Sequence, residues 1–253
     1  MKPLNLKSVN EYVNENIVDF HQRKLKSLSD LKLEKLLTKN PYLFRAKNLT
    51  TASELIDDLL SAFLSSSEEK LFGDFLEDLA MFVAEQTSGG HKSTAQGVDL
   101  EFINNNTHYV VSIKSGPSWG NSSQQDKLEQ DLKIAVARLK QSKHSLNAQP
   151  VLGICYGKTK TAFLRGYMKI VGQNFWYLIS ENPNLYTDIV GPIGYEAKKH
   201  NDDFLSRRNG IANILTNQFF NDYCDLKTGL IDWVKLIQFN SGNYKSQGGK
   251  KDD

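Results

Sequence analysis

The stretch Gly97-Val98-Asp99-Leu100-Glu101-Phe102-Ile103-Asn104-Asn105-Asn106-Thr107-His108-Tyr109-Val110-Val111-Ser112-Ile113-Lys114 decides the fold of this chain. Apolar and polar residues alternate on both sides of a cluster of turn-forming residues, which predicts two strands joined as a hairpin. With residues 104–107 as a four-residue loop, Ile103 faces His108. Leu100 then lies opposite Val111, Phe102 opposite Tyr109 and Val98 opposite Ile113. All six are apolar, so that side is the core side. The other side presents Asp99 opposite Ser112, Glu101 opposite Val110 and Lys114 opposite Gly97. A carboxylate and an ammonium are thereby diagonal neighbours on the side turned away from the core.

Such a pair suits phosphodiester hydrolysis. That reaction needs a cation against the charge building on the phosphoryl oxygens, and a water made nucleophilic beside it. Magnesium takes hard oxygen ligands and retains several waters, so one or two carboxylates suffice, while a neighbouring lysine orients or helps deprotonate the water. An exposed cross-strand salt bridge would place the same two residues equally well. The continuation Ser115-Gly116-Pro117-Ser118-Trp119-Gly120-Asn121-Ser122-Ser123-Gln124 is more telling. It is a tight, glycine-bearing loop rich in hydroxyl and amide groups, of a kind that contacts phosphates and base edges, and it leads into a basic helix over 122–142. Ser122 or Ser123 can equally serve as that helix's N-cap.

Upstream, the first 65 residues read as helices. Ser8 can cap a segment with Val9, Tyr12, Val13, Ile17 and Phe20 on one face, and Thr50 or Thr51 a second with Leu55, Leu59 and Phe63. Ser66 and Glu69 have capping-box spacing and open a further helix, stopped by Gly89-Gly90. Downstream, Val151–Tyr156 is a nearly all-apolar run that predicts a strand buried on both faces. Phe175–Ile179 predicts another strand, and residues 186–239 read as mostly helical. The expected fold class is α/β, a mixed sheet flanked by helices, in a single domain over 1–245. It has a helical N-terminal part (1–65), a core (66–180) and a helical C-terminal part (181–245), and 246–253 form a disordered tail.

Composition narrows the classes. The chain has 253 residues, 40% of them hydrophobic, enough for a sizeable core. No run approaches the roughly 18 apolar residues of a membrane span, and the N-terminus has no signal-like apolar stretch, so a cytoplasmic protein is expected. Cys155 and Cys224 are too few for a disulfide framework or a zinc site. The net charge of +2 is uninformative, but its distribution is not. Lys and Arg outnumber Asp and Glu by 10 to 5 in residues 1–50 and by 9 to 3 in 126–170, and are outnumbered 2 to 11 in 51–104. Basic segments flanking an acidic one fit either solvated helix faces or a phosphate-contacting surface around a carboxylate-lined centre.

The sequence resembles the PD-(D/E)XK nuclease superfamily and, within it, the type II restriction endonucleases, closest to a branch that cuts GC-rich palindromes of the GGNCC kind. The resemblance spans about residues 40–240. It is carried by Ser65–Glu69 through Phe72-Gly73 and Phe75-Leu76-Glu77, then Gly97–Phe102 and Ser112–Pro117 with Trp119–Gln124. Cys155–Lys158 and Gly172–Trp176 extend it. It implies Asp99 as a metal ligand, Lys114 as the catalytic lysine and Glu77 as an acid beside the metal, with Mg2+ as cofactor. The second acid of the motif, two residues before the lysine, is here Ser112. Glu129, Asp126 or Glu77 can replace it, and the sequence does not choose. The resemblance further implies cleavage of double-stranded DNA by a homodimer and a cognate DNA methyltransferase as functional partner. Asn121, Gln124, Ser115 and Lys127 are the candidate DNA contacts. A repair nuclease of the same fold, or a catalytically inactive DNA-binding relative, is the alternative.

Overall fold

The computed structural model describes residues 1–142 and 147–242, so the expected tail at 246–253 lies outside the described residues. The elements run α1 (Leu6–Ser29), α2 (Leu33–Leu36), α3 (Pro41–Ala46), α4 (Ala52–Ser88), β1 (His91–Lys92), β2 (Leu100–Asn104), β3 (Thr107–Lys114) and α5 (Ser122–Ser142). They continue with β4 (Asn147–Ile154), β5 (Ala162–Leu164), β6 (Tyr167–Val171), α6 (Gln173–Ser180), α7 (Leu185–Asp188), α8 (Val190–Ile193), α9 (Ala197–Tyr223) and α10 (Trp233–Asn240). The chain divides into two compact units, one of residues 1–22 and 69–197, the other of residues 23–68 and 198–253.

The first unit is a mixed six-stranded sheet flanked by helices, in the order β1-β2-β3-β4-β6-β5. The hairpin register is as the alternation requires: Leu100 pairs with Val111, Phe102 with Tyr109 and Ile103 with His108. The loop is tighter than expected, because Asn104 and Thr107 also pair. Only Asn105 and Asn106 turn the chain, both at positive φ (46° and 60°), as a two-residue hairpin turn demands and asparagine tolerates. β3 and β4 then pair in parallel, joined by the crossover helix α5, and β6 adds in parallel beyond β4.

Both faces of this sheet are covered. Leu100, Phe102, Val111 and Ile113 pack with Val9, Val13 and Ile17 of α1, Phe75, Leu79 and Val83 of α4, and Phe175 and Trp176 of α6. On the opposite face Val110 and Leu152 pack against Leu128, Leu132 and Ala135 of α5. The side of the hairpin expected to face outward is therefore a second core, in which Val110 and Ser112 are fully buried. Val98, expected opposite Ile113, belongs to this second core. The chain bends ahead of β2 at Gly97 (φ 71°), where a β-carbon would collide with the carboxylate of Asp131.

Other sequence expectations are corrected by the fold. Phe175–Ile179 is not a strand but part of α6. Its buried positions 175, 176 and 179 have helical spacing, and the neighbouring strand place beside β4 is taken by β6. The helices expected to start at Thr51 and Ser66 are one continuous helix, α4. Thr51 does cap it, accepting from Glu54 N at 3.4 Å while Glu54 Oε2 accepts from the Thr50 and Thr51 amides. Ser66 instead donates back to Ala62 O within the helix. Asn5, not Ser8, caps α1, its Oδ1 accepting from the amides of Lys7 and Ser8.

Among its described residues, the second unit has helices and no strand apart from an isolated bridge between Cys224 and Ile231. Its own core gathers Leu28, Leu36, Phe44, Leu55, Ile56, Leu60, Phe204, Phe219 and Leu236.

Candidate active site

Asp99 immediately precedes β2 and is held through both its backbone and its side chain. Its amide donates to Val111 O at 2.9 Å, and its Oδ2 accepts from the Ile113 amide at 2.6 Å and from Ser112 Oγ at 3.3 Å. Lys114 ends β3. Its Nζ donates to Ile113 O at 2.6 Å and lies 3.8 Å from Asp99 Oδ2. Glu77 comes from α4, with Oε1 3.9 Å from the same Nζ. The three side chains are 32%, 28% and 30% exposed for Asp99, Lys114 and Glu77, so the cluster is anchored in the fold yet open to a substrate.

Charge is unbalanced at this point. Burial pushes the Glu77 carboxyl up to about 7; Lys114 opposes the rise, while Asp99, Asp74 and Asp78 add to it. Cys155, buried behind the cluster, has its thiol pushed far up by burial and by the charge of Glu77, so it is inert packing and not a nucleophile.

The remaining candidates are distributed differently. Ser112 is buried and serves as a hydrogen-bond donor to Asp99, with no open face toward a ligand. Glu129 and Asp126 sit on α5 and are engaged elsewhere. Glu129 lies 2.5 Å from Lys133 and 3.8 Å from Arg165, and Asp126 lies 2.6 Å from Arg165. Of the three acids left open by the sequence, the fold brings Glu77 to Asp99 and Lys114. Asn121 and Gln124 cap α5 reciprocally, Asn121 N to Gln124 Oε1 at 2.9 Å and Gln124 N to Asn121 Oδ1 at 3.1 Å. Lys127 is exposed on the first turns of α5, and Ser115 follows Lys114 directly, half-buried.

Sequence reasoning missed how the loop after Lys114 is held. Tyr156 N donates to Ser115 O at 3.1 Å, extending the β3–β4 pairing. The Tyr156 ring lies over Gly116, where a β-carbon would come within 2.8 Å of its hydroxyl. Gly157 (φ 134°) abuts Pro117, and Gly73 on α4 faces Ser115 Oγ. Glycines at positions 73, 116 and 157 were the available signal, but a close approach between segments distant in sequence leaves no local pattern.

A model of the type II restriction endonuclease EcoO109I family matches residues 7–201, well over half of the chain and all of the cluster described above. The chain belongs to the EcoO109I family of type II restriction endonucleases. No curated protein matches it. The EcoO109I-family assignment makes the protein a nuclease that acts on DNA, and its mixed sheet flanked by helices is the architecture expected of such an enzyme. Type II restriction endonucleases generally use a divalent metal ion. Among the described residues no group of three or more His, Cys, Asp and Glu side chains is arranged to hold one, so the carboxylates available at the centre are the pair Asp99 and Glu77. No described helix is long and apolar enough to cross a membrane.

Proposed function

We propose that this chain is a magnesium-dependent, site-specific endonuclease of the PD-(D/E)XK kind. It cuts both strands of duplex DNA at a short GC-rich palindrome of the GGNCC type, as one half of a restriction–modification system. The observation that carries this reading is the convergence of Asp99 and Glu77 on Lys114 Nζ, at 3.8 and 3.9 Å, on a partly open surface.

The donor set fits magnesium. Two carboxylates offer hard oxygens, and a bound cation would offset the burial that, ahead of Asp99, Asp74 and Asp78, raises the Glu77 carboxyl against the pull of Lys114. Asp99 and Glu77 would hold the ion, which supplies Lewis-acid stabilisation of the phosphoryl oxygens and a more acidic bound water. The chain's own groups do the rest. Donors from Ile113 N and Ser112 Oγ keep Asp99 aimed, so the acid needs no reorganisation when substrate arrives. Lys114, tethered through Ile113 O, places its ammonium where it orients the attacking water and offsets the growing negative charge. In this reading Glu77 fills the role of the acid missing at Ser112.

Ser115 and Lys127 contact the DNA backbone. Asn121 and Gln124, whose oxygens cap α5, present their amide nitrogens as donors to base edges. The enzyme acts as a homodimer, because a two-fold axis lets one protein surface read each half of a palindrome. It works in the cytoplasm beside a cognate DNA methyltransferase that protects the host's copies of the site.

Plasmid digestion with purified protein in Mg2+ tests the reading. Discrete bands with mappable ends support it. Smears or end-dependent loss indicate a repair nuclease, and binding without cutting in Mg2+ or Mn2+ indicates an inactive relative. Either of those outcomes overturns it.

A further inference from the structure

One helix face organises more than the cluster. Glu69, Gly73 and Glu77 follow one another at i, i+4 and i+8 on α4, so they line one side of it. Glu77 meets Lys114, and Gly73 meets Ser115 Oγ. Glu69, about 12 Å from Glu77 along the helix axis, reaches a cleft of about 350 Å3. The rest of that cleft is built by residues 115–119 of the loop after Lys114 and by Tyr156. Glu69 is exposed and, unlike Glu68, which pairs with Lys24 at 3.0 Å, makes no ion pair among the described residues. Its capping-box spacing from Ser66 is not used, because α4 runs straight through.

The lining chemistry selects the occupant. The one charged group in the cleft is a carboxylate, which repels phosphate. Two serine hydroxyls donate or accept, and the aromatic side chains of Trp119 and Tyr156 favour a flat partner. On duplex DNA, a carboxylate in a groove accepts from an exocyclic amine, and the amine matched to a bare acceptor is N4 of cytosine. The geometry points to Glu69 as a specificity-determining residue that reads the amino group of a cytosine in the cleft beside the catalytic cluster. This inference rests on the site-specific nuclease reading above.

The test begins by mapping the wild-type cut site by plasmid digestion. kcat/KM is then measured for wild type, Glu69→Gln and Glu69→Lys on the cognate duplex and on duplexes with each base pair replaced singly. For Glu69→Gln, cleavage of the cognate duplex is expected to fall about 10- to 100-fold, and discrimination at one symmetry-related pair of C·G positions, one in each half-site, to collapse while the other positions keep theirs. Glu69→Lys is expected to lose discrimination at that same pair. An unchanged profile, or an equal change at every position, overturns the inference. So does tighter binding of Glu69→Lys to all duplexes alike, which would put the side chain against phosphates. These outcomes are separable from failure of the nuclease reading itself, in which the wild-type protein would produce no discrete cut site.

Discussion

Replacing Glu77 by Gln is expected to raise the stability of the metal-free protein in mildly alkaline buffer while abolishing cleavage. In the folded chain the Glu77 carboxyl is pushed up to about 7 from an ordinary value of 4.5, chiefly by burial and then by Asp99, Asp74 and Asp78 against the pull of Lys114. A raised acid favours the folded state while it is protonated. That contribution is complete below pH 4.5, declines as pH climbs through the interval, and above pH 7 the folded state carries the full cost of an ionised, partly desolvated carboxylate. At about 1.4 kcal/mol per tenfold ratio, the cost at pH 8 is roughly 3 kcal/mol, against less than about 1 kcal/mol at pH 5. Gln is neutral at both. Glu77→Gln is therefore expected to raise Tm by roughly 5–10 °C at pH 8 and by only about a quarter of that at pH 5. Thermal unfolding followed by circular dichroism in EDTA at the two pH values measures it. Addition of MgCl2 at pH 8 is then expected to stabilise the wild-type protein more than the variant, since only the former keeps both carboxylates. A variant whose Tm difference from wild type is the same at both pH values would refute the premise that burial in the folded chain raises the Glu77 carboxyl.

Asp99→Ala and Lys114→Ala are each expected to abolish cleavage yet retain specific duplex binding, measured by gel shift in Ca2+, because neither group reads bases. Ser112→Ala removes a buried donor from Asp99. It is expected to lower kcat about tenfold with little change in KM and to cost about 1 kcal/mol of stability by denaturant titration. Gly116→Ala drives a β-carbon into the Tyr156 ring, so the loop after Lys114 must shift; steady-state kinetics should show a larger loss of kcat/KM than any loss of Tm. Glu129→Gln is expected to leave kcat within about threefold of wild type. It disturbs only the pairs with Lys133 and Arg165, which are surface ion pairs worth less than about 1 kcal/mol. A Glu129→Gln protein without activity would return that residue to the metal site.

The register of the hairpin, the helical character of the N-terminal segments and the nearness of Asp99 to Lys114 were all legible in the sequence. Each rests on local physics: alternation with a period of two sets hairpin register, and a cap or a glycine ends a helix. The same alternation carried no record of what lies across from a strand. The face bearing Val110 and Ser112 looked outward because one apolar side chain among polar ones does not announce a helix packed on it, and α5 arrives only through the parallel crossover from β3 to β4. Phe175–Ile179 misled because a short aromatic run suits a strand and a buried helix alike, and partner geometry alone separates them.

Which acid joins Asp99 was likewise beyond the sequence. Glu77, Asp126 and Glu129 are all carboxylates on helices at spacings that permit several assignments. The third dimension separated them, by carrying α4 past the end of β3 and by giving the two α5 acids to Arg165 and Lys133. The sequence by itself determined an acid and an amine joined by one β-hairpin, since covalent connectivity and side-chain periodicity act over a few residues. The tertiary structure decided their third partner and their unbalanced charge. Those depend on through-space distance and desolvation between segments that the chain brings together only when it packs.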